Sequence, residues 1–291
     1  MASSSPISDA CPLCASTNPE LLYDLGPARG PHDVQGRIAR CRECAMCFKL
    51  IERPEKIAEA YQGDYGQDES GNEYFAGDRT RRLFRDVLSP LTSRAPGGRL
   101  LDIGAGYGTL VEEAGKLGFV AEGIDLSEGN VERAKARGLN VTKVAAEDLE
   151  TEGVFDVVTM MDIIEHVPDP VAMLRAAHRA LRPGGTAVIY TPNHSSAIVG
   201  VASVMHKLGA RGPIYEIFGQ NHVCFFDHRS LPLAATKAGF EVGKQRVLSY
   251  DPRRPGQRVS AVNLLALTLI EAVAWPVNRG FRLLTYATRP S

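Results

Sequence analysis

The chain has 291 residues, 44% apolar and 23% charged, with a formal net charge of −1. That is the composition of a soluble globular protein, long enough for one large domain and a small one. The near-neutral balance excludes a large electrostatic footprint for nucleic acid.

The leading "MASSSPISDA" has neither a basic nor an apolar region. It reads as a disordered lead, not a signal peptide, and the expected compartment is the cytoplasm. The first segment is loop-like, punctuated by Pro12, Pro19, Pro27 and Pro31. Five of the six cysteines precede residue 50. In a cytosolic chain such clustering points to metal, not disulfides. Cys11 and Cys14 form one CxxC unit, and Cys41 and Cys44 a second, 26 residues later. Four thiolates at this spacing predict a closed, structural zinc site in a small domain over 1–52. The ion would supply folding free energy to a segment too short to bury a core. Cys224, in "VCFF", reads as a packing residue.

After the break at "ERPEK", 52–56, come a short helical piece, "EKIAEAY", and a Gly/Asp-rich loop. A basic amphipathic helix, "RTRRLFRDVLSPLTSR", then runs to the breaker "APGG" at 95–98. Residues 53–95 are expected to form a helical linker or lid. From residue 99 the pattern alternates. "RLLDIGA", "FVAEGIDLS", "NVTKVA", "FDVVTMMDII" and "TAVIYTP" read as strands. "GTLVEEAGKLG", "EGNVERAKARG" and "DPVAMLRAAHRAL" read as the helices between them, the last ended by "RPGG". Residues 192–228 interrupt the rhythm and are expected to cover a substrate. "SLPLAATKAG" resumes as a helix and "FEVGKQRVLSY" as a strand, with "RLLTYATR" as one more strand. This alternation predicts an α/β domain over 96–291, a mostly parallel sheet of seven strands with helices on both faces. The long apolar stretch at 259–277 contains Asn263, Glu271 and Pro276, which argue against a membrane span. It predicts a buried, dimer-forming or membrane-touching helix.

In an open parallel sheet, ligands sit at the carboxyl ends of the strands, beside the first glycine-rich turn. Here that turn is "DIGAGYGT", with Gly104, Gly106 and Gly108 leaving room for close approach to the backbone. It is neither a G-x-G-x-x-G fingerprint nor a G-K-[ST] phosphate loop. Asp102 within it suits a cationic ligand better than a pyrophosphate. Asp125 ends the next strand, about 20 residues on, where an acid holds a ribose. Ser127 is there to cap the helix that follows.

Together "LLDIGAGYGTL", "VAEGIDLS", "FDVVTMMDIIEHVPDP" and "LRPGGTAVIYTPN" resemble the successive motifs of class I S-adenosylmethionine-dependent methyltransferases, over residues 97 to 250. The chain further resembles bacterial members that carry an N-terminal zinc ribbon and act on small molecules or sugar-linked intermediates. The resemblance implies a Rossmann-like fold. It implies that Asp102 and the backbone of Gly104, Ala105 and Gly106 face the methionine part of the cofactor. Asp125 would hold the ribose and Leu126 would pack on the adenine. Asp148, beside Glu147, is the expected contact of the adenine amine, although Ala145 stands where the family often has an acid. Met161 and Asp162 would lie beside the transferred methyl. Cys47 aligns with a usually apolar position and is expected in the core.

Methyl transfer to a hydroxyl, phenol or acidic carbon needs a proton acceptor, and histidine suits that task near neutral pH. His166, in "IIEHVPDP", follows the fourth strand, and His222, in "GQNHVCFFD", lies in the interrupting segment. Glu165 acts alone or orients His166. His194 and His228 are expected at the surface or in caps. Tyr61, Tyr65, Tyr74 and Phe75 either close over the cofactor or pack on the sheet edge. The expected function is S-adenosylmethionine-dependent methylation of a small-molecule acceptor by a monomer or homodimer, with zinc structural. Two alternatives stay open: an RNA methyltransferase whose ribbon grips nucleic acid, and a noncatalytic cofactor-binding scaffold.

Overall fold

A computed structural model describes residues 10–26, 36–51, 77–218, 221–249, 261–274 and 277–291. The expected lead before Ala10, the helical piece at 55–61, and Tyr61, Tyr65, Tyr74 and Phe75 lie outside the described residues.

The chain opens with three antiparallel strands, β1 (Pro19–Asp24), β2 (Gly36–Cys41) and β3 (Cys47–Ile51). Helix α1 (Asp78–Thr92) follows. The alternating region then runs β4 (Arg99–Ile103), α2 (Thr109–Lys116), β5 (Val120–Asp125), α3 (Glu128–Ala136), β6 (Val141–Lys143), β7 (Phe155–Met161), α4 (Pro170–Ala180) and β8 (Leu181–Pro192). Helices α5 (Ala197–Lys207) and α6 (Gly212–Phe218), strand β9 (Cys224–Phe225) and helix α7 (Ser230–Lys237) come next. The chain closes with β10 (Glu241–Leu248), α8 (Ala261–Ala274) and β11 (Arg282–Thr288).

The large sheet has the order β10-β11-β8-β7-β4-β5-β6. The five strands from β8 to β6 are parallel, and β11 runs antiparallel to both of its neighbours. The seven-stranded, mostly parallel Rossmann-like architecture is therefore as expected, including "RLLTYATR" as a strand. One boundary differs. "RPGG" does not form a loop after α4, because β8 begins at Leu181 and pairs it with Phe155. Gly184 sits at φ 77° and donates to Arg289 O, so the turn is absorbed into the sheet.

Local signals account for the helices. Ser127, Asp169 and Ser196 accept hydrogen bonds from the first-turn amides of α3, α4 and α5, satisfying groups a helix start leaves open. Pro170 begins α4, where its missing N–H costs nothing. Helix α1 buries Phe84, Leu88 and Leu91 on one face against Leu100, Val157 and Leu284. Its other face is tied to α2, because Arg81 and Arg85 both bind the buried carboxylate of Glu113. Burial acts to raise the Glu113 pKa, but hydrogen bonds from Lys116, Arg81 and Arg85 hold it at about 2. The described part of the expected linker is thus packed onto the sheet.

The interrupting segment is also tied into the small N-terminal sheet. Its strand β9 pairs there with β3, with Cys47 opposite Phe225 and Phe48 opposite Cys224. Cys224 is buried, as expected of a packing residue, and its thiol reaches Val167 O at 3.4 Å. His228 is exposed and bonds Ser195, in line with expectation. His194, by contrast, is half-buried, with both ring nitrogens enclosed. Its ring packs against Phe218 and Phe225 at 5.1 and 4.6 Å, and burial lowers its pKa to about 3. The apolar stretch near the C-terminus also departs from one expectation. Helix α8 leaves Leu265, Leu269 and Val273 exposed, so it is not a buried core helix. Among the described residues no helix is long and apolar enough to cross a membrane.

Candidate active site

Strand β4 is where the sheet changes direction. The chain proceeds from it to β5 and β6 on one side, then to β7 and β8 on the other. The crevice at the carboxyl ends of β4 and β7 is therefore the natural ligand site. The glycine loop forms its floor. Gly104, Gly106 and Gly108 all have left-handed φ, 77°, 54° and 81°, a region that costs glycine little. A Cβ on Gly104 would lie 2.9 Å from Ile163, whereas one on Gly106 would meet nothing within 4 Å. Gly106 is thus the open point of the loop.

The loop amides are already engaged. Gly104 N and Ala105 N both donate to Ile124 O, and Gly106 N donates to Asp125 Oδ2 at 2.8 Å. The Asp125 carboxylate also accepts from Ser127 N and Asn130 Nδ2. Ser127 caps α3, as the sequence indicated, so Asp125 is held at the loop by its own contacts. Leu126, next to it, is 49% exposed, an unusual position for a leucine between a strand and a helix. Asp148 and Glu147 lie exposed in the turn after β6.

Asp102 is buried beneath the loop and accepts a 2.6 Å hydrogen bond from Thr159 Oγ1. Burial, with a smaller contribution from the nearby Asp125 charge, raises its pKa to about 7, against the lowering effect of Thr159. A cationic ligand in the crevice would draw the proton off.

Strand β7 delivers Met161 and then Asp162, which adopts a left-handed φ of 52°. Its backbone N donates to Tyr190 O at 2.8 Å. Its carboxylate pairs with Arg282, the first residue of β11, whose guanidinium also stacks over the Tyr190 ring at 5.3 Å. The sequence reading missed Arg282. The one available sign was a charge at the head of an otherwise apolar strand.

A single 3-10 turn, Ile164–His166, follows. It carries Glu165 and His166 inward, and His222 approaches from the interrupting segment. The two imidazoles meet edge to face with centroids 4.6 Å apart. One donor atom from each of Glu165, His166 and His222 lies within 4.8 Å of the others. The structure therefore brings together the three residues singled out for proton chemistry. Glu165 Oε2 accepts from Thr191 Oγ1 at 2.8 Å, so its bonded partner is Thr191. Glu165 Oε1 and His222 Nδ1 are buried without a hydrogen-bond partner among the described residues.

Burial sets the protonation states. It raises Glu165 to about 8, aided by the Asp162 charge. It lowers His166 to about 4, against a contact of Nδ1 with Asn221 O at 3.4 Å. It also drives His222 well below the usual histidine range, with the charge of neighbouring His166 adding to the effect. Both imidazoles are neutral near pH 7, each with a lone pair to offer. Lys49, also missed by sequence reasoning, is buried in β3, and its backbone N donates to Val223 O next to His222. The N-terminal sheet is thereby hydrogen-bonded to the segment that carries His222.

The four cysteines at 11, 14, 41 and 44 converge as well. Cys11 Sγ lies 3.5 Å from Cys44 Sγ, and Cys14 Sγ lies 3.4 Å from Cys41 Sγ. The two CxxC turns share one backbone form. Each ends in a left-handed alanine, Ala15 (φ 59°) and Ala45 (φ 60°), whose N donates to Cys11 O and Cys41 O respectively. Cys47 stands outside this group, half-buried, with its thiol pushed up to about 11 by burial.

Comparison with known proteins agrees with this geometry. The profile described as a methyltransferase domain matches residues 75–245. A ubiquinone biosynthesis O-methyltransferase of Thiobacillus denitrificans is 33% identical over 198 residues, 62% of this chain and 82% of that protein. One from Xanthomonas campestris pv. campestris is 40% identical over 184 residues, 59% of this chain and 75% of that protein. Among solved structures, a Haloferax volcanii complex of the Trm112 methyltransferase activator with a methyltransferase superposes with a TM-score of 0.53 at 20% identity. That match covers 77% of this chain and 99% of the other. Haemonchus contortus phosphoethanolamine N-methyltransferase 2, holding S-adenosylhomocysteine, gives 0.52 at 20% identity over 72% of this chain and 53% of its own. At such identities these structures speak to the fold alone, but the profile and the curated relatives settle the family: the chain belongs to the methyltransferase-domain family and is an S-adenosylmethionine-dependent methyltransferase.

Proposed function

We propose that the chain methylates a hydroxyl oxygen of a small-molecule acceptor. The observation that carries this reading is the convergence of Glu165, His166 and His222 at the end of β7, across the crevice from the glycine loop. The O-methyltransferase relatives support it.

S-Adenosylmethionine supplies an electrophilic methyl group, and the protein must align the nucleophile, exclude water and take a proton. In this reading Asp125 holds the ribose, Leu126 packs on the adenine, and Asp102 faces the cationic methionine part. Gly106 lets the cofactor lie against the backbone. Asp148, exposed in the turn after β6, meets the adenine amine. Met161 and Asp162 border the reacting centre. His166, on the rigid turn after β7, accepts the acceptor's proton, and His222 orients the acceptor. The test is a turnover assay with phenolic acceptors. His166→Ala should lower kcat about 10²–10⁴-fold, the usual contribution of a general base, with cofactor affinity unchanged. Equal kcat in the variant rejects the assignment.

A second reading is favoured by the orphaned Glu165 Oε1 and His222 Nδ1. Glu165, His166 and His222 would together hold a divalent cation, which would acidify a bound hydroxyl. Calorimetric titration of Mg²⁺ and Mn²⁺ into the wild type and into His222→Ala separates the two readings.

Zinc is assigned to Cys11, Cys14, Cys41 and Cys44. Their paired knuckles and clustered sulfurs suit a tetrahedral site with no open position. The ion would hold β1–β3 together and, through β3 and β9, fix the approach of His222. Elemental analysis of protein purified without chelator tests this.

A further inference from the structure

We propose that helices α5 and α8 form a docking surface for an anionic lipid bilayer. The proposal starts from the polarity of α8, which is inverted. Its charged residue, Glu271, is 4% exposed, while Leu265, Leu269 and Val273 face outward at 62%, 59% and 75%. A helix facing water shows the opposite arrangement. Helix α5 packs beside it and adds Val204, Met205 and Leu208, the last 82% exposed at the helix end. Two adjoining helices thus each expose large apolar side chains, and exposed apolar surface gathered in this way marks an interaction site.

Charge selects the occupant. Ala197 N, at the start of α5, donates to Arg279 O, just beyond α8, so Arg279 stands at one end of the surface. Lys207 and Arg211 stand at the other end of α5, and all three are exposed. The exposed acid among the described residues of α5, α6 and α8 is Glu216. An apolar face bounded by cations matches the acyl–headgroup boundary of an anionic membrane. A second copy would bring the same cations against these, which disfavours self-pairing. Docking here would set the acceptor crevice close to the bilayer, because β8 leads into α5 directly through Asn193–Ser196. The inference does not depend on the identity of the acceptor or on the roles of the histidines.

The experiment is co-flotation of the full chain with phosphatidylcholine vesicles, with and without phosphatidylglycerol, alongside sedimentation equilibrium. The wild type is expected to float with phosphatidylglycerol vesicles and to stay in solution with phosphatidylcholine alone. The double variant Leu269→Asp/Val273→Asp should lose flotation. Lys207→Glu/Arg211→Glu should weaken it by at least about tenfold. Unchanged S-adenosylmethionine affinity certifies that each variant is folded. If the wild type fails to float, or if it sediments as a dimer that the Asp variants dissociate, the proposal is overturned.

Discussion

Arg282 and Asp162 are 120 residues apart in the chain and form an ion pair at the mouth of the crevice. The pair exists because β11 inserts between β10 and β8, placing Arg282 opposite Pro192 at the carboxyl end of β8, one strand away from the end of β7. Side-chain exposure of 9% and 13% means that removing one partner strands a charge. Loss of one member of such a pair costs about 3–5 kcal/mol. Arg282→Met should therefore lower the unfolding free energy in denaturant by about that amount, and Asp162→Asn in the same chain should recover part of it. Additive losses in the double variant would show that the pair is not coupled.

Asp125 offers a direct test of cofactor binding. Its carboxylate is held at the loop by Gly106 N, Ser127 N and Asn130 Nδ2. Asp125→Ala should weaken S-adenosylmethionine by about 1.5–3 kcal/mol, the range for a hydrogen bond to a charged group. Calorimetric affinity equal to wild type, with the fold intact, removes Asp125 from the site.

Asp102 predicts a pH dependence. Its pKa of about 7 is raised mainly by burial. A cationic cofactor favours the carboxylate, so binding expels the proton that the free enzyme holds at low pH. Affinity should fall by up to about tenfold for each pH unit below 7 and level off above it. In Asp102→Asn that slope should vanish. A variant that keeps the slope assigns the titration elsewhere.

The proton-transfer cluster predicts a second profile. His166, at about 4, stays neutral above pH 5, whereas Glu165, at about 8, is protonated at neutral pH. Loss of the Glu165 proton places a negative charge beside His166 and makes it a stronger base. The kcat should thus rise with pH through about 8, and Glu165→Gln should flatten that limb. His222→Ala should mainly raise the acceptor KM. If His222→Ala lowers kcat and His166→Ala raises KM, the two roles are exchanged.

The zinc assignment predicts one ion per chain, lost in Cys14→Ser and kept in Cys47→Ser. Inductively coupled plasma mass spectrometry reads both. Zinc lost from Cys47→Ser would change the ligand set. Because β3 is hydrogen-bonded to β9, loss of zinc should also speed amide exchange at 222–226.

Much of this was legible in local pattern. Alternating strands and helices, the glycine loop, Asp125 and the two CxxC units are signals within a few residues of one another, and each sits where that reading placed it. What stayed hidden depends on chain return. Arg282 joins Asp162 only through an antiparallel insertion, and Lys49 nears His222 only because β9 pairs with β3. His194 is expected at the surface or in a cap, but Phe218 and Phe225, distant in sequence, pack against its ring. Protonation was equally hidden: histidine at its ordinary pKa is a neutral-pH base, and burial moves His166 to about 4.

The central claim is tested most directly by incubating the full chain with S-adenosylmethionine carrying a deuterated methyl group and paired phenolic and amine acceptors, with products read by tandem mass spectrometry. The account predicts labelled methyl on the phenolic oxygen, with S-adenosylhomocysteine formed in equal amount and both reduced about 10²–10⁴-fold in His166→Ala. Label appearing on the amine alone, or on oxygen at an unchanged rate in His166→Ala, would contradict it.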